Sequence, residues 1–201
     1  MKATISTPLQ ICSQRHAGLW RDCSGIAATE FAIIVPLMLV LFFGVVEFST
    51  AVAVDRKVTL VARTVSDLVS QNTTVTPSQV TGYLGFGTLV MSQYAQAPYS
   101  AATLQATVSE LFVDPNTHTA KVQWSNGYAV RPTGQVVTIP APLMVDGTYL
   151  IFSEVSYLYT PTVGYVMAPS GVNLSDVAYT RPRQSLCVLY NAAANSPCPT
   201  N

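Results

Sequence analysis

From Ile26 to Val46 the chain is almost uniformly apolar, and from Phe31 to Val46 it has no charged and no strongly polar side chain. A helix over residues 26–46 rises about 31 Å, close to the hydrocarbon thickness of a bilayer. No other stretch of similar apolarity is present to bury it as the core helix of a soluble protein. A cleaved secretory signal would have a shorter apolar core followed by a small-residue cleavage site. Here the helical pattern simply continues. Val54, Val58, Val61, Val65 and Leu68 recur at spacings of four and three, while Asp55, Arg56, Arg63, Ser66 and Asp67 fill the other side. That spacing predicts an amphipathic helix over 47–70, continuous with the apolar one because no Gly or Pro intervenes between Val45 and Val75. Asn72-Thr73-Thr74 ends it.

Thr76-Pro77 reads as an N-cap followed by proline at the first helical position. It opens a second predicted helix over 77–96, with Val80, Leu84, Leu89, Val90 and Tyr94 as its apolar positions; Gly82, Gly85 and Gly87 weaken it. From residue 103 the period becomes two. Leu104, Ala106 and Val108 alternate with polar neighbours, as do Ala120, Val122 and Trp124, and Asp114-Pro115-Asn116 between them is a turn signal. An antiparallel hairpin over 103–126 follows. Gln135–Ile139, Tyr149–Tyr159 and Val172–Tyr179 are the further predicted strands. The expected fold class is α+β: a long N-terminal helix, half membrane-like and half amphipathic, packed on an antiparallel sheet. The expected divisions are a cytoplasmic leader (1–25), the helix (26–71) and a periplasmic α+β domain (72–201).

Charge narrows the partners. Ten Lys and Arg balance ten Asp and Glu over 201 residues, which gives no basic surplus to attract nucleic acid. Lys2, Arg15 and Arg21 before the apolar run are matched by Arg56, Lys57 and Arg63 after it, so the positive-inside rule does not settle the orientation. The cysteines say more. Cys187 and Cys198 bracket a short polar loop near the C-terminus, a spacing that suits a disulfide in an oxidising compartment. Closing such a loop is worth about 3 kcal/mol in the chain-entropy model. Cys12 and Cys23 precede the span, and no Cys-x-x-Cys spacing suggests zinc or redox chemistry.

One residue within the apolar region is out of place. Glu30 stands at its start, where a carboxylate beside hydrocarbon costs about 2.5–3.5 kcal/mol on insertion scales. Gly25, Ile26, Glu30 and Phe31 together form a Gly-x4-Glu-Phe pattern that resembles the processing site of type IV prepilins. The resemblance implies that a membrane-bound prepilin peptidase cuts between Gly25 and Ile26, which makes Glu30 the fifth residue of the mature chain. The run ATEFAIIVPLMLVLFFGVVEF, with Pro36 inside it and Gly44, Glu47 and Phe48 closing it, is similar to the signature of TadE-like proteins. More loosely, Val122 to Ser125, Glu154 to Pro161 and Tyr179 to Arg183 resemble the β-rich part of such proteins. The resemblance implies a minor pseudopilin or membrane-anchored assembly component of a tight-adherence (Tad/Flp) pilus. Its location would be the bacterial inner membrane, with the C-terminal domain in the periplasm. Its partners would be membrane lipid, the peptidase, and other pilins or Tad secretion-platform proteins. An uncleaved single-pass anchor for a periplasmic binding or assembly module is the alternative.

Nothing in the residues points to an enzyme, a cofactor or a metal. His118 is the only histidine after the span and no nucleophile elbow accompanies it. The Gly82–Gly87 run lacks the Gly-Lys-Ser/Thr of a phosphate loop. The acids after Glu47 stand singly along the chain. The tyrosines and Trp124 read as sheet core, Glu47 as a marker of the far membrane surface, and His118 as a surface residue.

Overall fold

The computed structural model describes residues 24–92, 104–161, 171–193 and 196–200, with side chains from Ala28 onward. The leader with Cys12, Cys23 and its basic residues lies outside the described residues, as do positions 93–96 of the second predicted helix. The elements run α1 (Ser24–Ser70), β1 (Thr74–Val75), α2 (Pro77–Met91), β2 (Leu104–Asp114), β3 (Thr119–Gly127), β4 (Val136–Val137), a 3-10 turn (Ala141–Leu143), β5 (Tyr149–Tyr159), β6 (Val172–Thr180) and β7 (Leu189–Tyr190). This is the expected α+β class. Two compact units divide at Val46 and Glu47, so that residues 47–70 of α1 are counted with the sheet.

In the first unit α1 is uncovered. Phe31 is 69% exposed, Ile33 76% and Phe42 62%. Each such side chain left in water forgoes roughly 1.5–3 kcal/mol of burial. Pro36 lies within the helix.

The second unit is built on the valine stripe. Val54, Val58, Val61, Ala62, Val65 and Val69 are fully buried against Val108, Trp124, Ile151, Val155 and Tyr157 of the sheet. Two positions differ from the sequence reading. Leu68 is only half-buried and Val69 takes the core position. Ser66, assigned to the polar side, is fully buried, and its hydroxyl donates to Thr180 Oγ1 at 2.6 Å. The sheet covers a wider arc of the helix than the valines mark, and a small side chain with its own hydrogen bond fits at the flank. α2 begins at the expected cap: Thr76 and Gln79 form a reciprocal capping box, with Pro77 next to it. The glycines that weakened this helix on sequence grounds include one that its packing requires. A Cβ on Gly87 would lie 2.8 Å from Val61 Cγ1, so glycine lets α2 approach α1.

The main sheet has the order β4-β3-β2-β5-β6, antiparallel throughout, with β2 central. A bulge breaks the β2–β3 register between Glu110 and Leu111, where Glu110 faces Trp124 but Leu111 faces Val122. Gln123 is the extra residue. The sequence reading put Ala120, Val122 and Trp124 on one face; the bulge turns Trp124 toward the helices and leaves Ala120 and Val122 on the opposite side. There they join Leu111, Val113, Leu150, Phe152 and Ile139 in a second core, against which Val137, Leu143 and Met144 pack. The expected strand over Gln135–Ile139 shrinks to Val136–Val137, paired only with Lys121 and Ala120. Pro140 follows, has no N–H to continue a ladder, and leads into the 3-10 turn. A second, two-stranded parallel sheet joins β1 to β7 and had no counterpart in the sequence reading.

Candidate functional site: the uncovered helix and the ties of the folded domain

Gly25 and Ile26 lie on the α1 backbone. Glu30 and Phe31 are exposed on the same helix. Ile26 and Glu30 are four residues apart, so they share a helix face one turn from each other. The structure thus places the four predicted processing residues on one helical segment of the first unit. Among the described residues α1 is the one helix long and apolar enough to cross a membrane.

At the start of the second unit, Glu47 accepts a hydrogen bond from the Tyr159 hydroxyl at 3.0 Å. The carboxylate that closes the apolar run therefore also fastens the helix to the end of β5.

The one buried acid among the described residues went unremarked in the sequence except as one scattered acid. Glu110 is fully buried. Its Oε1 accepts from the Val188 backbone N–H at 2.6 Å, and its Oε2 from the Trp124 indole N–H at 2.9 Å. The indole N–H also reaches the Val188 carbonyl at 2.8 Å. Among the described residues no cation pairs with this carboxyl. Burial pushes its pKa up to about 8, against the opposing pull of the Val188 and Trp124 donors. The signal available was parity: Glu110 continues the series Leu104, Ala106, Val108 on the face that packs on the helices. Burial, and secondarily the nearby Glu110, push the Tyr149 hydroxyl upward as well.

Val188 belongs to a C-terminal strap held at several points. Leu189 N–H donates to Thr73 O and Asn191 N–H to Val75 O. Tyr190 stacks on Trp124 with centroids 5.0 Å apart. Cys187 and Cys198 are disulfide-bonded, with Cα atoms 5.8 Å apart, and Tyr149 donates to the Pro199 carbonyl. The expected pairing is thus formed, beneath Phe112 and Tyr149.

His118 is a turn residue with φ 50°, exposed, and bonded to Asp146 at 2.9 Å. Among the described residues no three His, Cys, Asp or Glu side chains gather as a metal site. Arg131 and Glu154 form a two-point ion pair, and the guanidinium lies 5.4 Å from the Phe152 ring centroid.

A family model described as TadE-like protein matches residues 25–67. Over this segment the chain is similar to TadE-like proteins. The match runs from the glycine of the processing pattern through the uncovered apolar helix and into the buried valine stripe. No match was found among curated proteins or among solved structures.

Proposed function

We propose that this protein is a minor pseudopilin or membrane-anchored assembly component of a Tad/Flp-type pilus. In this reading α1 holds it in the bacterial inner membrane, and residues 72–201 face the periplasm. The observation that carries the proposal is a coincidence of two boundaries: the TadE-like match spans the stretch whose first half is an uncovered apolar helix and whose second half is the core stripe of a folded domain. The Cys187–Cys198 disulfide supports an oxidising compartment for the domain.

The same reading makes Glu30 intelligible. Cleavage after Gly25 frees a positive α-amino group on Ile26 at the membrane edge. Where apolar helices pack side by side, one subunit's Glu30 carboxylate meets a neighbour's amine. Such a pair adds little net stability, because both charges lose water, but an unmatched partner is costly. The pair therefore selects axial register among packed helices. Prepilin peptidase, membrane lipid and other pilins or Tad platform proteins are the partners this requires.

N-terminal sequencing of the protein from cells that express the peptidase tests the proposal. A mature chain that begins at Ile26, and a Gly25→Ala variant that is cut slowly or not at all, are the expected results. A chain that still begins at Met1 would refute the pseudopilin reading and leave an uncleaved anchor for a periplasmic module.

A further inference from the structure

The face of the sheet turned away from the helices changes character along its length. At one end it is the second apolar core. At the other end its cross-strand neighbours form two polar rows: Gln105 beside Ser156 beside Ser175, and Thr107 beside Glu154 beside Val177. These rows floor a cleft of about 240 Å³, with Tyr128 and Arg131 on its wall. We propose that this cleft is a binding site for a neutral saccharide, of the size of one sugar ring.

The wall is built rather than incidental. Gly127 has φ 135°, and a Cβ there would lie 2.3 Å from the Ala106 carbonyl oxygen, so only glycine allows the chain to turn so close across β2. Tyr128 N–H then donates to Ala106 O at 3.0 Å, and Ala129 N–H to Thr107 Oγ1 at 2.9 Å. Arg131 N–H donates to Ser125 Oγ at 3.2 Å. These bonds fix the backbone that presents the Tyr128 ring, which is nonetheless 69% exposed. A large aromatic ring carried on a fixed backbone but left in water offers a stacking surface.

The floor selects the class of ligand. The Ser156 and Ser175 hydroxyls have no side-chain hydrogen bond among the described residues, and each both donates and accepts. Glu154 is paired with Arg131, and Asp176, the other acid lining the cleft, accepts from the Val177 N–H, so both carboxylates keep outer lone pairs for hydroxyl donors. A phosphate or carboxylate ligand would have to displace Glu154 from the guanidinium. A hydrocarbon ligand would desolvate the serines and the amide of Gln105 without replacing their water. A sugar ring offers both an apolar C–H face for Tyr128 and Val177 and a rim of hydroxyls for the polar rows. The volume falls below the roughly 300–1,000 Å³ of drug-sized sites, which suits one ring.

Saturation-transfer difference NMR tests this on the full-length chain in phosphocholine micelles, with no sugar-based detergent present. The probes are the methyl glycosides of glucose, galactose and mannose, free N-acetylglucosamine, and tri-lysine as a cationic control. At least one sugar is expected to show saturable transfer with Kd in the millimolar range. Tyr128→Ala is expected to weaken it about tenfold, in line with the loss of one aromatic contact. Ser175→Val, on an exposed position, is expected to weaken it several-fold, and the melting temperature of each variant reports that the fold is intact. Three results would each overturn the proposal: no saturable transfer from any of the four sugars, binding of tri-lysine alone, or undiminished sugar binding in both variants.

Discussion

Glu110 makes the stability of the domain depend on pH in a direction opposite to that of a salt-bridged acid. In the folded chain its carboxyl holds a proton until about pH 8, against an ordinary value of 4.5. Between these two values the folded state binds more protons than the unfolded one. Stability is therefore greatest below about pH 4.5 as far as this group is concerned, and falls as pH rises toward 8. At about 1.36 kcal/mol per pH unit, a displacement of this size amounts to roughly 4–5 kcal/mol across the window. That is a large share of the about 5–15 kcal/mol that holds a typical domain together. Asp114 works the other way, held down to about 2 by the Asn116 backbone N–H and by Lys121, but its transition lies below the window. In Glu110→Gln the titration is gone. The amide keeps an acceptor for Val188 N–H and sets its NH2 against the Trp124 indole N–H, a mismatch worth about 1–3 kcal/mol. The variant should thus be less stable than the parent at pH 5, and equal to it or more stable at pH 8. Urea unfolding of the full chain in micelles at several pH values, with Trp20 replaced by Phe so that Trp124 alone fluoresces, measures both slopes. Parallel slopes in parent and variant, or a parent whose stability rises from pH 5 to 8, would refute the assignment of a buried neutral carboxyl.

Glu30→Gln should leave cleavage and membrane insertion intact and abolish co-purification with other pilins; normal piliation would reduce Glu30 to an interfacial residue. Gly87→Ala should destabilise the domain by about 1–3 kcal/mol through overpacking against Val61, and Val61→Ala in the same chain should restore part of the loss in a double-mutant cycle of melting curves. Cys187→Ser should lower unfolding free energy by about 2–4 kcal/mol, and mass spectrometry of the parent protein isolated from cells should find no free thiol at Cys187 or Cys198.

The long periodic segments were readable before any coordinates. Residues 54–65 of the valine stripe, the hairpin around Asp114, and β5 from Tyr149 to Tyr159 all follow from spacing, since each has enough repeats to define a face. What escaped depends on contacts distant in sequence. The bulge at Gln123 shifts parity within β3, and no local residue announces it. Without the bulge Trp124 would share the face of Val122, and its bond to Glu110 would not form. β1 and β7 are two residues each and exist through each other, more than a hundred positions apart in the chain, so no window could find them. For the candidate site the position was reversed. The processing pattern and the TadE-like signature are local and were legible as strings, whereas the cleft beneath Tyr128 is assembled from cross-strand neighbours.

The C-terminal strap also has a consequence for the order of events during synthesis. A ribosome delivers Glu110 and Trp124 long before Val188, which lies 78 and 64 positions downstream of them. Until Val188 docks, the main sheet has all its strands but an open seam. Trp124 lacks its stacking partner, and the carboxyl of Glu110 remains hydrated and ionised. Strap docking then excludes water and draws a proton onto Glu110, and the Cys187–Cys198 bond locks the strap in place. A chain with the strap docked is thus chemically distinguishable from one without it: a product truncated before Val188 should be charged at Glu110, reduced at Cys187 and open to proteases, three separate marks by which quality control could recognise it.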